Sequence, residues 1–304
     1  MHIALIGLGK MGANMARRLC RGKISVVGYN RSPEIVTELA DNEGLQPASS
    51  LADAVEKLPK PRIIWLMLPS GAPTAAAVDE LIELLEAGDI VIDGGNSNYK
   101  TSCSHGEKLA QHGIGFIDAG TSGGVWGLEN GYCLMVGGRA EHVKLIEPVL
   151  QVLAPASNKG WAHVGPIGAG HFTKMIHNGI EYGMMQAYAE GFALLQGKSE
   201  FDLDLAQIAE LWRHSSVVRS WLLDLTADFL SEDQQLDDIE PYVADSGEGR
   251  WTIDEATEQG VAAPVLALAL HMRFASQGKA DFGNKLLAMM RQSFGGHALK
   301  DKTS

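Results

Sequence analysis

The residues that most resist a purely structural explanation lie on one stretch, Gly168-Ala169-Gly170-His171-Phe172-Thr173-Lys174-Met175-Ile176-His177-Asn178-Gly179-Ile180-Glu181-Tyr182-Gly183. Lys174, His177, Asn178, Glu181 and Tyr182 stand at i, i+3, i+4, i+7 and i+8. At about 100° per residue they share one helix face, roughly 140° wide. An amine, an imidazole, an amide, a carboxylate and a phenol make poor core and a good substrate face. Gly179 and Gly183 weaken such a helix, which implies that something packs closely there. A lysine so placed suits alcohol oxidation. As a neutral amine, the form burial favours, it accepts a hydroxyl proton while hydride leaves the carbon. As an ammonium it then polarises the new ketone. Where a carboxylate lies β to that ketone, CO₂ leaves without a metal, and an acid such as Glu181 protonates the enol carbon. There is no HExxH and no Cys/His ligand set, so no metal is expected.

Three other segments carry ligand chemistry. Gly7-Leu8-Gly9-Lys10-Met11-Gly12 follows a strand-like run and opens a helical one, the context in which GxGxxG binds a dinucleotide pyrophosphate at a helix N-terminus. The next strand ends in Asn30-Arg31-Ser32 rather than the Asp or Glu that holds an NAD ribose. An Arg there pairs with a 2′-phosphate and Ser32 adds a hydroxyl, so NADP is favoured over NAD. Asp93-Gly94-Gly95-Asn96-Ser97 and Asp118-Ala119-Gly120-Thr121-Ser122-Gly123-Gly124 each end a strand, where ligands of open α/β sheets sit. The second offers successive backbone N–H groups and hydroxyls to a carboxylate or a polyol.

Short β-branched runs alternating with helical patterns must position these groups. Strands are expected at 2–6, 25–29, 63–68, 90–93, 115–118 and 132–137, and helices at 11–21, 33–42, 75–86 and 99–112. That alternation predicts a parallel sheet covered on both faces, an α/β doubly wound fold of Rossmann type, over residues 1–165. After Gly165 the texture is helical: one long pattern over 168–198, then 203–213, 217–230 and further helices. The expected second domain, 166–304, is all-α and joined through the long helix. Residues 231–258 hold ten acids and one basic residue, Arg250, and read as a solvated face.

The 304 residues suggest about two domains at roughly 150 residues each. With 45% hydrophobic and 20% charged residues the chain is globular, which excludes disorder and a collagen-like chain. A formal charge of −12 without a long basic run excludes nucleic acid as the main partner. Cys20, Cys103 and Cys133 form no CxxC, which fits a reducing compartment. Residues 1–6 run straight into a strand without a charged leader, and the apolar stretch 261–270 contains Pro264 and is too short to span a bilayer. A cytoplasmic protein with no membrane partner is expected.

The motifs GLGKMG, YNRS, DGGNS, DAGTSGG and GAGHFTKMIHNGIEYGMMQ, with Trp212-Arg213, Arg219-Ser220, Gly249-Arg250-Trp251-Thr252, Arg273 and Arg291-Gln292-Ser293-Phe294-Gly295-Gly296-His297, resemble the decarboxylating 6-phosphogluconate dehydrogenase family. The resemblance spans nearly the whole chain. It implies oxidative decarboxylation of 6-phosphogluconate to ribulose 5-phosphate in the pentose phosphate pathway, with Lys174 as general base and acid and Glu181 as the acid that protonates the enediol. It implies that Asn96, Ser122, Gly123, Gly124, His177, Asn178 and Tyr182 hold the sugar acid. Arg273, Arg291 and His297 would hold largely its phosphate. The last two would reach in from a neighbouring subunit of a homodimer or homotetramer. It places the dinucleotide against Gly7 to Gly12, Asn30 to Ser32, Leu68, Pro69, Ser70 and Asn96.

The chain departs from the long family pattern in three ways. It is shorter, as in a short-form branch. Ser246 and Glu248 replace a Lys and a Thr that touch substrate, and Pro69 replaces a cofactor-side Lys, which counts against NADP. The rival within the superfamily is another β-hydroxyacid dehydrogenase, such as 3-hydroxyisobutyrate dehydrogenase or tartronate semialdehyde reductase. His177 beside Asn178, the DGGNS turn, Arg291 and His297 argue against it. A rival of another class is a non-catalytic NADP-binding sensor, against which the intact catalytic side chains argue.

Overall fold

A computed structural model describes residues 1–295 and 298–300. The first part of the chain runs β1 (His2–Ile6), α1 (Lys10–Arg21), β2 (Ser25–Tyr29), α2 (Pro33–Glu43), β3 (Gln46–Pro47), α3 (Leu51–Glu56), β4 (Ile63–Leu66) and α4 (Ala72–Leu84). It continues through β5 (Ile90–Asp93), α5 (Tyr99–Ala110), β6 (Gly115–Ser122), α6 (Gly127–Asn130), β7 (Cys133–Gly138), α7 (Ala140–Leu153) and β8 (Trp161–Gly165). Alternation along the strands decides the architecture. In β1, Ile3 and Leu5 enter one core cluster while Ala4 and Ile6 enter the other; in β4, Ile63 and Trp65 oppose Ile64 and Leu66. Strands apolar on both faces need helices on both sides. Residues of α1, α2 and α7 fill the first cluster, and those of α3, α4 and α5 the second.

The eight strands form one sheet in the order β3-β2-β1-β4-β5-β6-β7-β8. All neighbours are parallel except β6 and β7. The chain has a Rossmann-type doubly wound sheet followed by a helical part, as expected, with differences of detail. β6 runs to Ser122 rather than stopping at Asp118, because Thr121 and Ser122 pair with Leu134 and Cys133. β8 was not expected: it is a largely exposed edge strand with no buried alternation to betray it. α7 was not expected either, since Pro148 lies inside it.

The chain divides into two compact units, Met1–Ile176 and His177–Ser304. The division into compact units falls inside α8 (Ala169–Gly197), whose first turn is held on the sheet by bonds described below. Past α8 the described residues are helical: α9 (Leu205–Arg213), α10 (Trp221–Glu232), α11 (Glu248–Gln259), α12 (Pro264–Ser276) and α13 (Asp281–Gly295). A small core of Leu205, Ala209, Leu223, Ala227 and Leu230 joins α9 to α10. α10 starts at Trp221, later than expected, because the Ser220 hydroxyl caps it by accepting from Leu223 N–H. The acid-rich stretch is only partly a solvated face: Glu248 and Glu255 are buried on α11. Among the described residues no helix is long and apolar enough to cross a membrane.

Candidate active site

At the end of β1 the chain turns through Gly7-Leu8-Gly9 into α1. Gly7 has φ +92°, and a Cβ there would lie 2.5 Å from the Met67 carbonyl oxygen; a Cβ on Gly12 would lie 2.1 Å from that of Gly7. Both positions demand glycine. Gly9 is different, because nothing lies within 4 Å of where its Cβ would be. It lines a cleft of about 770 Å³, at the end of α1 where no N-cap side chain covers the first turn. That space, facing a helix N-terminus, fits a dinucleotide pyrophosphate.

Lys10, Met11, Gly12, Asn30, Arg31, Ser32, Leu68, Pro69 and Asn96 line the same cleft with Gly7 and Gly9. Two expected residues are not in its lining. Leu8 buries its side chain in the core and gives only its N–H, which donates to Asn30 Oδ1 at 2.9 Å. Ser70 is exposed in the turn before α4. Asn30 also donates from Nδ2 to the Ser32 carbonyl at 3.1 Å, so its amide is engaged with backbone on both sides. The sequence reading missed Ser50, Leu51 and a stripe on α4, Pro73, Ala77 and Glu80, that completes the wall; Thr121, expected in a turn for a carboxylate or polyol, lines this cleft as well. The i, i+4, i+7 spacing of that stripe is the signal that could have found it.

The DGGNS turn is fixed by Asp93, fully buried, whose Oδ1 accepts from Gly95 N–H at 3.0 Å. The DAGTSGG segment departs from expectation. Through Ser122 it belongs to the β6 strand, and only Gly123 (φ +125°) and Gly124 (φ +52°) turn away. Asp118 faces the start of α8 instead of a ligand. Lys174, buried, stands directly over Gly120, where a Cβ would come within 2.4 Å of the lysine Cβ. Burial pushes the Cys103 thiol up, and Asp118 adds to the effect, which disfavours its thiolate. Among the described residues no group of His, Cys, Asp and Glu is arranged to hold a metal ion.

In the second unit, His177 Nδ1 lies 3.7 Å from Glu181 Oε2, one helical turn on, and 3.3 Å from Asn178 Oδ1. His177 and Glu181 are half-exposed, while Asn178 is buried. Tyr182 is buried under the Arg273 guanidinium, 3.5 Å above its ring. Arg273 donates to the Ala244 carbonyl at 2.7 Å, and a Cβ on Gly249 would lie 2.6 Å from the Tyr182 ring. The Ser246 hydroxyl donates to Glu248 Oε2 at 2.6 Å and stands 3.2 Å from the Tyr182 hydroxyl. With its one proton given to Glu248, Ser246 accepts from Tyr182. The 246–248 segment therefore organises Tyr182. Arg291 is exposed on α13, outside this group, and His297 lies outside the described residues.

Residues 2–165 match the model for the NAD binding domain of 6-phosphogluconate dehydrogenase, and residues 170–302 that for the 6-phosphogluconate dehydrogenase C-terminal domain. The chain is 40% identical over 303 residues to an NAD(+)-dependent, decarboxylating 6-phosphogluconate dehydrogenase of Haloferax volcanii, covering 99% of both chains. It is similar to a solved Plasmodium falciparum 6-phosphogluconate dehydrogenase, with TM-score 0.85 and 27% identity over 100% of this chain and 67% of that one. A Mycobacterium tuberculosis 3-hydroxyisobutyrate dehydrogenase shares the fold at TM-score 0.72 and 21% identity, over 92% and 94% of the two chains. Matched in both of its parts and over almost its full length, the chain belongs to the 6-phosphogluconate dehydrogenase family of oxidoreductases.

Proposed function

We propose that the protein oxidises and decarboxylates 6-phosphogluconate to ribulose 5-phosphate and CO₂, as a cytoplasmic enzyme of gluconate use and the pentose phosphate pathway. The observation that carries this reading is the buried Lys174, seated over Gly120 on a helix that continues unbroken through His177, Asn178, Glu181 and Tyr182. A nicotinamide dinucleotide, when bound at Gly7–Gly12, supplies the hydride acceptor. Lys174 as the neutral amine takes the proton of the substrate hydroxyl, then as the ammonium hydrogen-bonds the ketone oxygen. The polarised ketone accepts the electrons released with CO₂, and Glu181 protonates the resulting enediol carbon. Asn96, Ser122, Gly123, Gly124, His177, Asn178 and Tyr182 hold the sugar acid; Arg273 holds its phosphate.

NADP is the preferred cofactor in this reading. Asn30 spends its amide oxygen on Leu8 N–H and offers no carboxylate to a ribose 2′-hydroxyl, while Arg31 stands in the cleft wall as a partner for a 2′-phosphate. The protein works as a homodimer or homotetramer, with Arg291 and His297 serving a neighbour's site. Thermal unfolding with and without cofactor tests the substrate assignment. A rise in midpoint with 6-phosphogluconate and none with 3-hydroxyisobutyrate is expected; the reverse pattern would contradict it.

A further inference from the structure

The N-terminus of α8 lacks any capping side chain of its own, since the residue before Ala169 is Gly168, with φ +92°. Its cap comes from about fifty residues away. Asp118 Oδ1 accepts the Gly168 N–H and Oδ2 accepts the His171 N–H, each at 2.7 Å. These are the two backbone donors that a capping box would satisfy from within a helix. Asp118 is fully buried, so both bonds are shielded from water. Behind it, the His171 ring, 1% exposed, is braced by the Ser102 hydroxyl, 2.7 Å from its Nδ1.

Glycines let the helix come down onto the strands. A Cβ on Gly170 would lie 2.4 Å from the carbonyl oxygens of both Asp118 and Met135, and one on Gly137 would lie 2.5 Å from Asp118 Oδ1. Lys174 is one turn beyond His171 and rests on Gly120, two residues along β6 from Asp118. One carboxylate thus joins strand and helix at the point from which the lysine's position is measured.

We propose that Asp118 is a positioning residue, which acts through the first turn of α8 to set where Lys174 stands against β6. The proposal rests on the reading of Lys174 as the base. An amide at 118 keeps the shape but presents an N–H₂ to one of two backbone N–H donors, so one cap bond is lost and a donor faces a donor.

The test compares Asp118→Asn, Ser102→Ala and Lys174→Met with the full chain. Asp118→Asn should lower kcat roughly 10- to 100-fold, the cost of displacing a reacting group by about an ångström. KM for 6-phosphogluconate and the dissociation constant of the reduced dinucleotide should stay within about threefold. The deuterium isotope effect on kcat, with substrate labelled at the carbon that loses hydride, should rise, because a misplaced base slows the chemical step relative to product release. A merely structural role would lower the amount of active enzyme and leave the isotope effect unchanged. Ser102→Ala keeps the carboxylate and removes only the partner of the His171 ring, so it should show the same signature with a smaller loss. Should Asp118→Asn fail to fold, judged by loss of dinucleotide binding, Ser102→Ala decides. An unchanged isotope effect in a folded variant overturns the proposal, as does wild-type turnover in Ser102→Ala when Asp118→Asn is unfolded. Full turnover in Lys174→Met would instead sink the base assignment itself.

Discussion

The two units treat their apolar residues differently. In the first, strand side chains alternate between two clusters and both are closed by helices, so that Ile3, Leu5, Ile64, Trp65 and Val91 are fully buried. In the second, the apolar residues of α13 lie open: Phe282 is 79% exposed, and Leu286, Leu287, Met289 and Met290 are about half-exposed. Phe282, Leu286, Met289 and Met290 fall at i, i+4, i+7 and i+8, the stripe of a helix that packs on something. A sheet sandwiched by helices completes its core within one chain. A helical unit with an open stripe is expected to complete it with another copy. The contrast matches the proposed division of labour, with the cofactor cleft on the closed unit and shared substrate contacts on the open one.

Three experiments break or sharpen this contrast. The largest effect is expected from Lys174→Met at the end of the first unit. Turnover should fall by about 10³-fold or more, while dinucleotide binding, measured by fluorescence titration, stays near wild type. Loss of both together would mean that Lys174 supports the cofactor cleft of the first unit and not only the chemical step. Next comes the open stripe. Phe282→Asp with Leu286→Asp should dissociate the proposed oligomer in sedimentation velocity and cut activity by roughly tenfold or more. Leu145→Asp, about as exposed as Leu286 but on α7 of the closed unit, should change neither; if the two variants behave alike, the contrast is empty.

The smallest effect concerns the closed core. Burial pushes the Tyr132 phenol up to about 12. The folded value exceeds the unfolded one of about 10, so the associated stability is complete below pH 10 and is lost between pH 10 and 12. Its hydroxyl has no hydrogen-bond partner among the described residues. Tyr132→Phe should therefore keep its melting midpoint within about 2 °C at pH 8. It should also decline less than wild type from pH 10 to 12. An identical alkaline decline in the two proteins would show that the phenol is not buried in solution.

The sequence was most legible where one element carries its own signal. The strand–glycine–helix unit at residues 2–21 and the polar spacing along α8 needed no partner to be recognised. Features that depend on a distant residue were not legible. Asp118 looked like part of a ligand turn because its partners, Gly168 and His171, follow about fifty residues later. Glu248 looked solvated among ten acids because Ser246 and Tyr182 decide its surroundings. β8 escaped notice because an exposed edge strand has no buried face to impose alternation, and α7 because Pro148 disguised a helix that covers the sheet.

The central claim is the reaction. Its most direct test is the initial rate of nicotinamide reduction by the purified protein with 6-phosphogluconate, run in parallel with NADP and NAD while CO₂ is followed. The account predicts reduction matched mole for mole by CO₂, and faster with NADP. No turnover with either dinucleotide, together with reduction on 3-hydroxyisobutyrate or glycerate, would contradict it.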